Sequence, residues 1–221
     1  MSLIVTGTGT GIGKTVTCAV LLARYGRGIR LAYWKPVATG GADDRDSASV
    51  KRWCGHLSEV LDEVYLFEAP LSPHLAARRE NAAIDPEAIV GALVRHGLED
   101  PDRSLVVEGA GGLLVPLTDR GYLLADLLRE LYLPCLVAAS SRLGTINHTL
   151  LTLEALRARG LEVAGVVLNG PPDRENRLAI ERFGRVEVVG EIGPLRRPGR
   201  AAIARAARGF DRDGRLRGYL E

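Results

Sequence analysis

The chain has 221 residues, 46% hydrophobic and 25% charged; that length suits one domain with a full core, and that balance excludes a disordered chain. Net charge is +2, but the segment from Arg196 to Glu221 sets eight arginines against Asp211, Asp213 and Glu221, and reads as a solvated terminal helix or arm. The longest near-apolar run, Leu131 to Ala139, is far short of a membrane span. Met1-Ser2 leads straight into Leu3-Ile4-Val5, so no secretory leader is expected. Cys18, Cys54 and Cys135 are scattered, which points to neither a disulfide framework nor a zinc site and makes the cytoplasm the expected location.

Short β-branched apolar runs alternate with helical patterns. Strands are predicted at Leu3–Val5, Leu31–Val37, Leu105–Glu108, Cys135–Ala139, Val163–Leu168 and Val186–Glu191, with a short run at Val64–Phe67 as another. Helices are predicted at Lys14–Tyr25, Ser47–Trp53, Pro86–His96, Leu123–Leu131, Ile146–Arg159 and Glu175–Phe183. Gly26, Gly160 and Gly184 are expected to stop three of them in the left-handed conformation. This alternation implies one α/β domain over residues 1–221, with a mostly parallel central sheet and helices on both faces. Ligands of such sheets bind beyond the carboxyl ends of the strands.

At the first such end lies Thr6-Gly7-Thr8-Gly9-Thr10-Gly11-Ile12-Gly13-Lys14-Thr15, followed by a helix. Glycines let successive N–H groups turn inward on a polyphosphate, and the helix adds its positive end. Lys14 is placed to bridge the outer phosphates and the Thr15 hydroxyl to hold a metal. The common spacing would require glycine where Thr8 stands, and the dinucleotide fingerprint is absent.

Lys35 closes the second predicted strand on the ligand side, ahead of Pro36. Lysine is rare here, at positions 14, 35 and 51 only, in a chain that otherwise chooses arginine. A compact ammonium at that end therefore points to a transferring phosphoryl group. Glu108 ends the strand Leu105-Val106-Val107 and meets Gly109-Ala110-Gly111-Gly112, where a carboxylate either faces the phosphates and takes magnesium or solvates a turn. Asp43, Asp44 and Asp46 follow Lys35, and the sequence alone does not choose among them as a second metal carboxylate. Gly144-Thr145-Ile146-Asn147 opens a helix whose free N–H groups suit an anion.

Together, Gly-Thr-x-Thr-x-x-Gly-Lys-Thr and Lys35-Pro36-Val37-Ala38-Thr39-Gly40 resemble the dethiobiotin synthetase family of P-loop enzymes. Ser72-Pro73-His74, Val107-Glu108-Gly109-Ala110-Gly111-Gly112, Leu143-Gly144-Thr145-Ile146-Asn147-His148 and Gly190-Glu191-Ile192 add to the likeness in family order.

The resemblance implies a magnesium- and ATP-dependent ligase that joins 7,8-diaminononanoate and CO2 into dethiobiotin, through a carbamate and a carbamic–phosphoric anhydride. Lys14, Lys35 and Thr39 would serve catalysis. Thr15, Asp46 and Glu108 would hold magnesium. ATP would lie on Thr10, Gly11, Ile12, Gly13, Lys14, Thr15, Val16, Asp46, Glu108, Gly109, Ala110 and Gly111. Its base would be read by Asn169 and Gly170 and packed by Gly193, Pro194 and Leu195. Lys35, Thr39, Ser72, Gly144, Thr145 and Asn147 would hold the small-molecule substrate, the last three across a homodimer interface. Neither nucleic acid nor membrane is implied as a partner. Gly9 and Gly11 stand where some members carry acidic residues, Arg142 where a lysine can occur, and Arg200 where an acidic residue contacts the ribose. A partitioning or regulatory ATPase of the same fold is the alternative; its loop usually carries an extra lysine where Thr8, Gly9 and Thr10 stand here.

Overall fold

Near-continuous apolar strands need helices on both sides, and the fold supplies them. A computed structural model describes residues 2–41 and 45–221. In chain order the elements are β1 (Leu3–Gly7), α1 (Lys14–Tyr25), β2 (Leu31–Trp34), β3 (Val37–Thr39), α2 (Asp46–Cys54), β4 (Glu59–Val60) and β5 (Tyr65–Phe67). They continue with α3 (Pro73–Arg79), α4 (Pro86–Glu99), β6 (Ser104–Glu108), α5 (Leu124–Leu131), β7 (Cys135–Ser140) and α6 (Thr145–Arg157). The last are β8 (Val163–Asn169), α7 (Arg174–Gly184), β9 (Val188–Ile192) and α8 (Arg200–Gly209).

Seven strands form one sheet in the order β4-β2-β6-β1-β7-β8-β9, with parallel pairing throughout. The chain leaves β1 toward β2 on one side and returns to β7, β8 and β9 on the other. This reversal opens a crevice beyond the carboxyl end of β1. Alternate strand residues feed two cores. Ile4, Trp34, Val107 and Val137 pack beneath α3 to α7, whereas Leu3, Val5, Tyr33, Val106 and Leu136 pack beneath α1, α2 and α8.

The second predicted strand is not continuous. β2 ends at Trp34, and Val37–Thr39 pairs instead with β5 in a separate two-stranded parallel sheet. Pro36 has no N–H for the ladder, and its carbonyl accepts from Val64 N at 2.9 Å and Tyr65 N at 3.0 Å, which redirects the chain. Two of the three glycine stops are also corrected. Gly26 is right-handed, with φ −65°, and Gly184 lies inside α7, where Arg185 takes the left-handed position with φ 47°. Gly160, with φ 68°, has the expected conformation.

Of the two readings of the arginine-rich terminus, helix or arm, the structure gives a helix, and one of its faces is buried. Ile203 and Ala207 of α8, with Phe210, Leu216 and Leu220, are buried in the core beneath α1, while Arg200, Arg205, Arg208 and Arg212 are exposed. Buried Asp211 fastens this segment: its carboxylate accepts from the Tyr25 hydroxyl and from the backbone of Arg215 at 2.9 Å and Leu216 at 2.8 Å.

Candidate active site

The glycine run between β1 and α1 forms a loop with Gly11 at φ 72° and Gly13 at φ 93°. α1 starts at Gly13 with no side-chain cap, so the unpaired N–H groups of its first turn are available to an anion. Gly112 packs onto this loop, and a side chain there would stand 3.4 Å from the Gly9 Cα. The Lys14 amine folds back onto the Gly9 carbonyl at 2.9 Å. Burial pulls its pKa below the usual lysine value, against the attraction of Glu108.

Lys35, Asp46, Glu108 and Thr15 meet at one point beyond the strands. The Thr15 hydroxyl lies 2.6 Å from Asp46 Oδ1 and 3.0 Å from Glu108 Oε1. The Lys35 amine contacts Asp46 Oδ2 and donates to Glu108 Oε1 at 3.0 Å. Burial depresses the Lys35 pKa, but Glu108 and Asp46 outweigh it and raise the value above the ordinary one. For Asp46, burial raises the pKa, and Lys35, with help from Thr15 and Lys14, overcomes it and keeps the carboxyl below its ordinary value.

Around this cluster lies a cavity of about 730 Å³. It is lined by Thr10, Gly11, Gly13, Lys14, Thr15 and Val16 on the loop side, and by Val37, Thr39, Pro70, Leu71, Ser72 and Pro73 on the opposite side. Ala110 and Gly111 also line it. Gly109 is buried behind them, where a side chain would press 3.1 Å from Leu124 Cδ2. Ile12 packs its side chain into the α1 core, leaving its backbone to the loop. Asp43 and Asp44 lie outside the described residues.

Other predicted residues stand apart from this cavity. Asn169 ends β8 against the loop: its amide Nδ2 donates to Thr17 Oγ1 at 3.1 Å, and a side chain on Gly13 would sit 2.9 Å from its Cγ. Gly170, Gly193, Pro194 and Leu195 continue along the same end of the sheet, with Gly193 and Pro194 exposed. Gly144 caps α6 with φ 94° and no side-chain bond. Thr145 is buried, its hydroxyl 3.5 Å from that of Thr149, and Asn147 is exposed. None of the three lines the 730 Å³ cavity.

Two contacts escaped the sequence reading. Thr17 engages Asn169, and the Tyr33 hydroxyl donates to Glu108 Oε2 at 2.8 Å. Burial, then the neighbouring Glu108, hold the Tyr33 phenol well above its usual pKa, so it stays a donor. The two-residue strand period was a usable signal, since it sets Tyr33 on the same face as Lys35.

The donors at the cluster suit magnesium. Two carboxylates and a hydroxyl, all oxygen, converge on one point, and the Lys35 ammonium now occupies the position of a cation between the two acids. Among the described residues no group of three or more His, Cys, Asp or Glu is gathered for a metal.

A family profile described as an AAA domain matches residues 1–201. The ATP-dependent dethiobiotin synthetase BioD of Paramagnetospirillum magneticum is 45% identical over 91% of this chain and 92% of its own. That of Agrobacterium fabrum is 44% identical over 88% of this chain and 87% of its own. Among solved structures, a ParA family ATPase from Chlorobium tepidum superposes with TM-score 0.58 at 12% identity, over 99% of this chain and 93% of its own. The MinD cell division protein of Aquifex aeolicus gives 0.56 at 15%, over 98% and 97%. At such identities these two share the fold alone, whereas the sequence relatives are close over nearly the whole length. The chain belongs to the family of ATP-dependent dethiobiotin synthetases.

Proposed function

We propose that residues 1–221 form one synthetase unit, with 196–221 as its basic terminal segment, that converts 7,8-diaminononanoate, CO2 and ATP to dethiobiotin, ADP and phosphate. The supporting observation is the convergence of Lys35, Thr15, Asp46 and Glu108 on a cavity whose far wall carries Thr39 and Ser72.

The loop N–H groups from Gly11 to Thr15 cradle the triphosphate, and Lys14 leaves the Gly9 carbonyl for the outer phosphates. Thr15, Asp46 and Glu108 hold magnesium, which when bound neutralises phosphate charge. One substrate amine adds to CO2 and loses a proton, giving a carbamate that Thr39 hydrogen-bonds. A carbamate oxygen attacks the γ-phosphorus and ADP leaves. Lys35 stabilises the charge on the transferring group. The second amine then attacks the carbamoyl carbon, the ureido ring closes, and phosphate departs with loss of a proton. Ser72 lines the same wall and holds the substrate. No side-chain nucleophile is needed, because positioning and charge neutralisation suffice. Asn169 reads the base with its Oδ1, its Nδ2 being held by Thr17, and Gly170, Gly193, Pro194 and Leu195 frame it.

A homodimer would complete the site. Leu143 is fully exposed, and Leu114 and Leu151 are half-exposed beside a hollow of about 310 Å³ that Thr8, Gly112 and His148 also line. Pairing through this face would carry Gly144, Thr145 and Asn147 toward the partner's cavity. Free, buried cysteines at 18, 54 and 135 suit a reducing cytoplasm. Among the described residues no helix is long and apolar enough to cross a membrane.

The test is direct. Pure protein incubated with diaminononanoate, bicarbonate, Mg²⁺ and ATP should yield the cyclic urea by mass, and omission of ATP should abolish it. Folded protein that hydrolyses ATP without forming the urea would overturn the assignment.

A further inference from the structure

The two oxygens of Glu108 have different surroundings. Oε1 faces the cavity and receives Thr15 and Lys35, each at 3.0 Å. Oε2 faces the interior and receives the Tyr33 hydroxyl at 2.8 Å. Tyr33 is 0% exposed and Glu108 1%, so neither group exchanges this bond for water. The buried Cys18 thiol lies against the same carboxylate from α1. A glutamate's terminal torsion is broad and roughly two-fold, so the strand backbone alone does not decide where the oxygens point. Anchoring one oxygen fixes the other.

We propose that Tyr33 is a positioning residue for the metal site: its phenol holds Glu108 Oε2 inside the protein and thereby presents Oε1 to the divalent ion. Without that donor, Oε2 loses the hydroxyl that holds it, and the carboxylate gains a reason to rotate. Partners of metal-holding groups commonly contribute ten- to a hundredfold in metal affinity, and this bond belongs to that class. Tyr33 touches neither substrate nor nucleotide; it acts through Glu108. The geometry also gives a role to the buried phenol of the strand Leu31-Ala32-Tyr33-Trp34.

This inference rests on Glu108 facing the metal, and the experiment separates the two. Mn²⁺ binding is followed by electron paramagnetic resonance in the presence of a non-hydrolysable ATP analogue. It is measured for the parent protein, Tyr33→Phe, Glu108→Gln and the double variant. Tyr33→Phe should weaken Mn²⁺ about tenfold and leave metal-free analogue binding unchanged. In the Glu108→Gln background the same change should have no further effect, because the partner is gone. Glu108→Gln binding Mn²⁺ as tightly as the parent refutes the metal reading of Glu108, and Tyr33's role with it. If Glu108→Gln is weakened while Tyr33→Phe binds like the parent, or if the two losses simply add, Tyr33 has no positioning role. Should the phenylalanine variant not fold, Tyr33→His, which keeps a donor nitrogen on a shorter side chain, goes through the same cycle. A loss that persists undiminished in the Glu108→Gln background then overturns the inference, and a loss that vanishes there supports it.

Discussion

The Lys35 ammonium stands 3.0 Å from Glu108 Oε1, with side chains 8% and 1% exposed. It is thus both a catalytic candidate and the countercharge of a buried acid. Replacing it with alanine should slow turnover by a factor corresponding to about 2.7–4 kcal/mol, the usual effect of deleting one preorganised donor. The same change leaves a buried carboxylate unpaired, which costs about 3–5 kcal/mol of stability. Because a divalent ion can replace the missing cation, Mg²⁺ should raise the melting temperature of Lys35→Ala more than that of the parent. Calorimetry with and without Mg²⁺, alongside steady-state kinetics, checks both. Unchanged turnover removes Lys35 from the mechanism.

Gly190 lies under the Phe210 ring, and a methyl group there would stand 2.6 Å from Cδ2. Phe210 is fully buried. Gly190→Ala should therefore destabilise by about 1–3 kcal/mol through overpacking. Adding Phe210→Leu should return part of that loss; urea melts of the single and double variants measure the coupling.

Asp211→Ala removes the acceptor of the Tyr25 hydroxyl and of the backbone N–H groups of Arg215 and Leu216, of which the hydroxyl and Leu216 N–H are buried. A loss of about 3 kcal/mol is expected from unpaired buried donors. Asp211 has φ 42°, a conformation asparagine tolerates, so Asp211→Asn should cost distinctly less. Chemical denaturation of both variants decides the order.

The face carrying Leu143 and Leu151 should associate. Leu151→Glu is expected to convert a dimer to a monomer and to raise the KM for diaminononanoate more than that for ATP, since the proposed pairing would bring α6 to the former's site alone. Light scattering and kinetics at matched concentrations report this. A parent protein that is monomeric at assay concentration ends the dimer proposal.

Burial raises the pKa of Cys54 to about 11 and that of Cys135 to about 12, from a usual value of 9.0. Thiols raised on folding stabilise fully below the unfolded pKa and lose that contribution as pH climbs through the folded values. The melting temperature should fall between about pH 9 and pH 12 for this reason. Cys54→Ala with Cys135→Ala should flatten the fall. At pH 8 neither thiol should react with iodoacetamide until the protein unfolds.

The phosphate loop was legible because its glycines and Lys14 have no other common use in that order. Lys35 and Glu108 were found from charge at strand ends, whereas Asp46 was singled out from its neighbours only by the family resemblance; the structure brings all three to Thr15. Tyr33 and Thr17 were missed because each sits in an element whose propensity already accounts for it. A terminal helix was one reading of the arginine-rich segment, but the arginines masked the Ile203–Ala207 spacing that buries one face of α8. β4 has two residues, Glu59 and Val60, too few for any periodicity. The break after Trp34 was signalled by Pro36, whose consequence depends on a distant partner, β5.

That break divides labour within the pocket. One short stretch of chain leaves the large sheet at Trp34 and joins the small one at Val37, so the lysine lies on the seam between two independently paired units. The large sheet ends at the glycine loop and Glu108, whereas the small one carries Thr39. On the proposed function, substitutions in β3 or β5 would therefore reshape the acceptor's berth while the large sheet keeps its registration, and a change in substrate preference would have a route that does not pass through loss of ATP use.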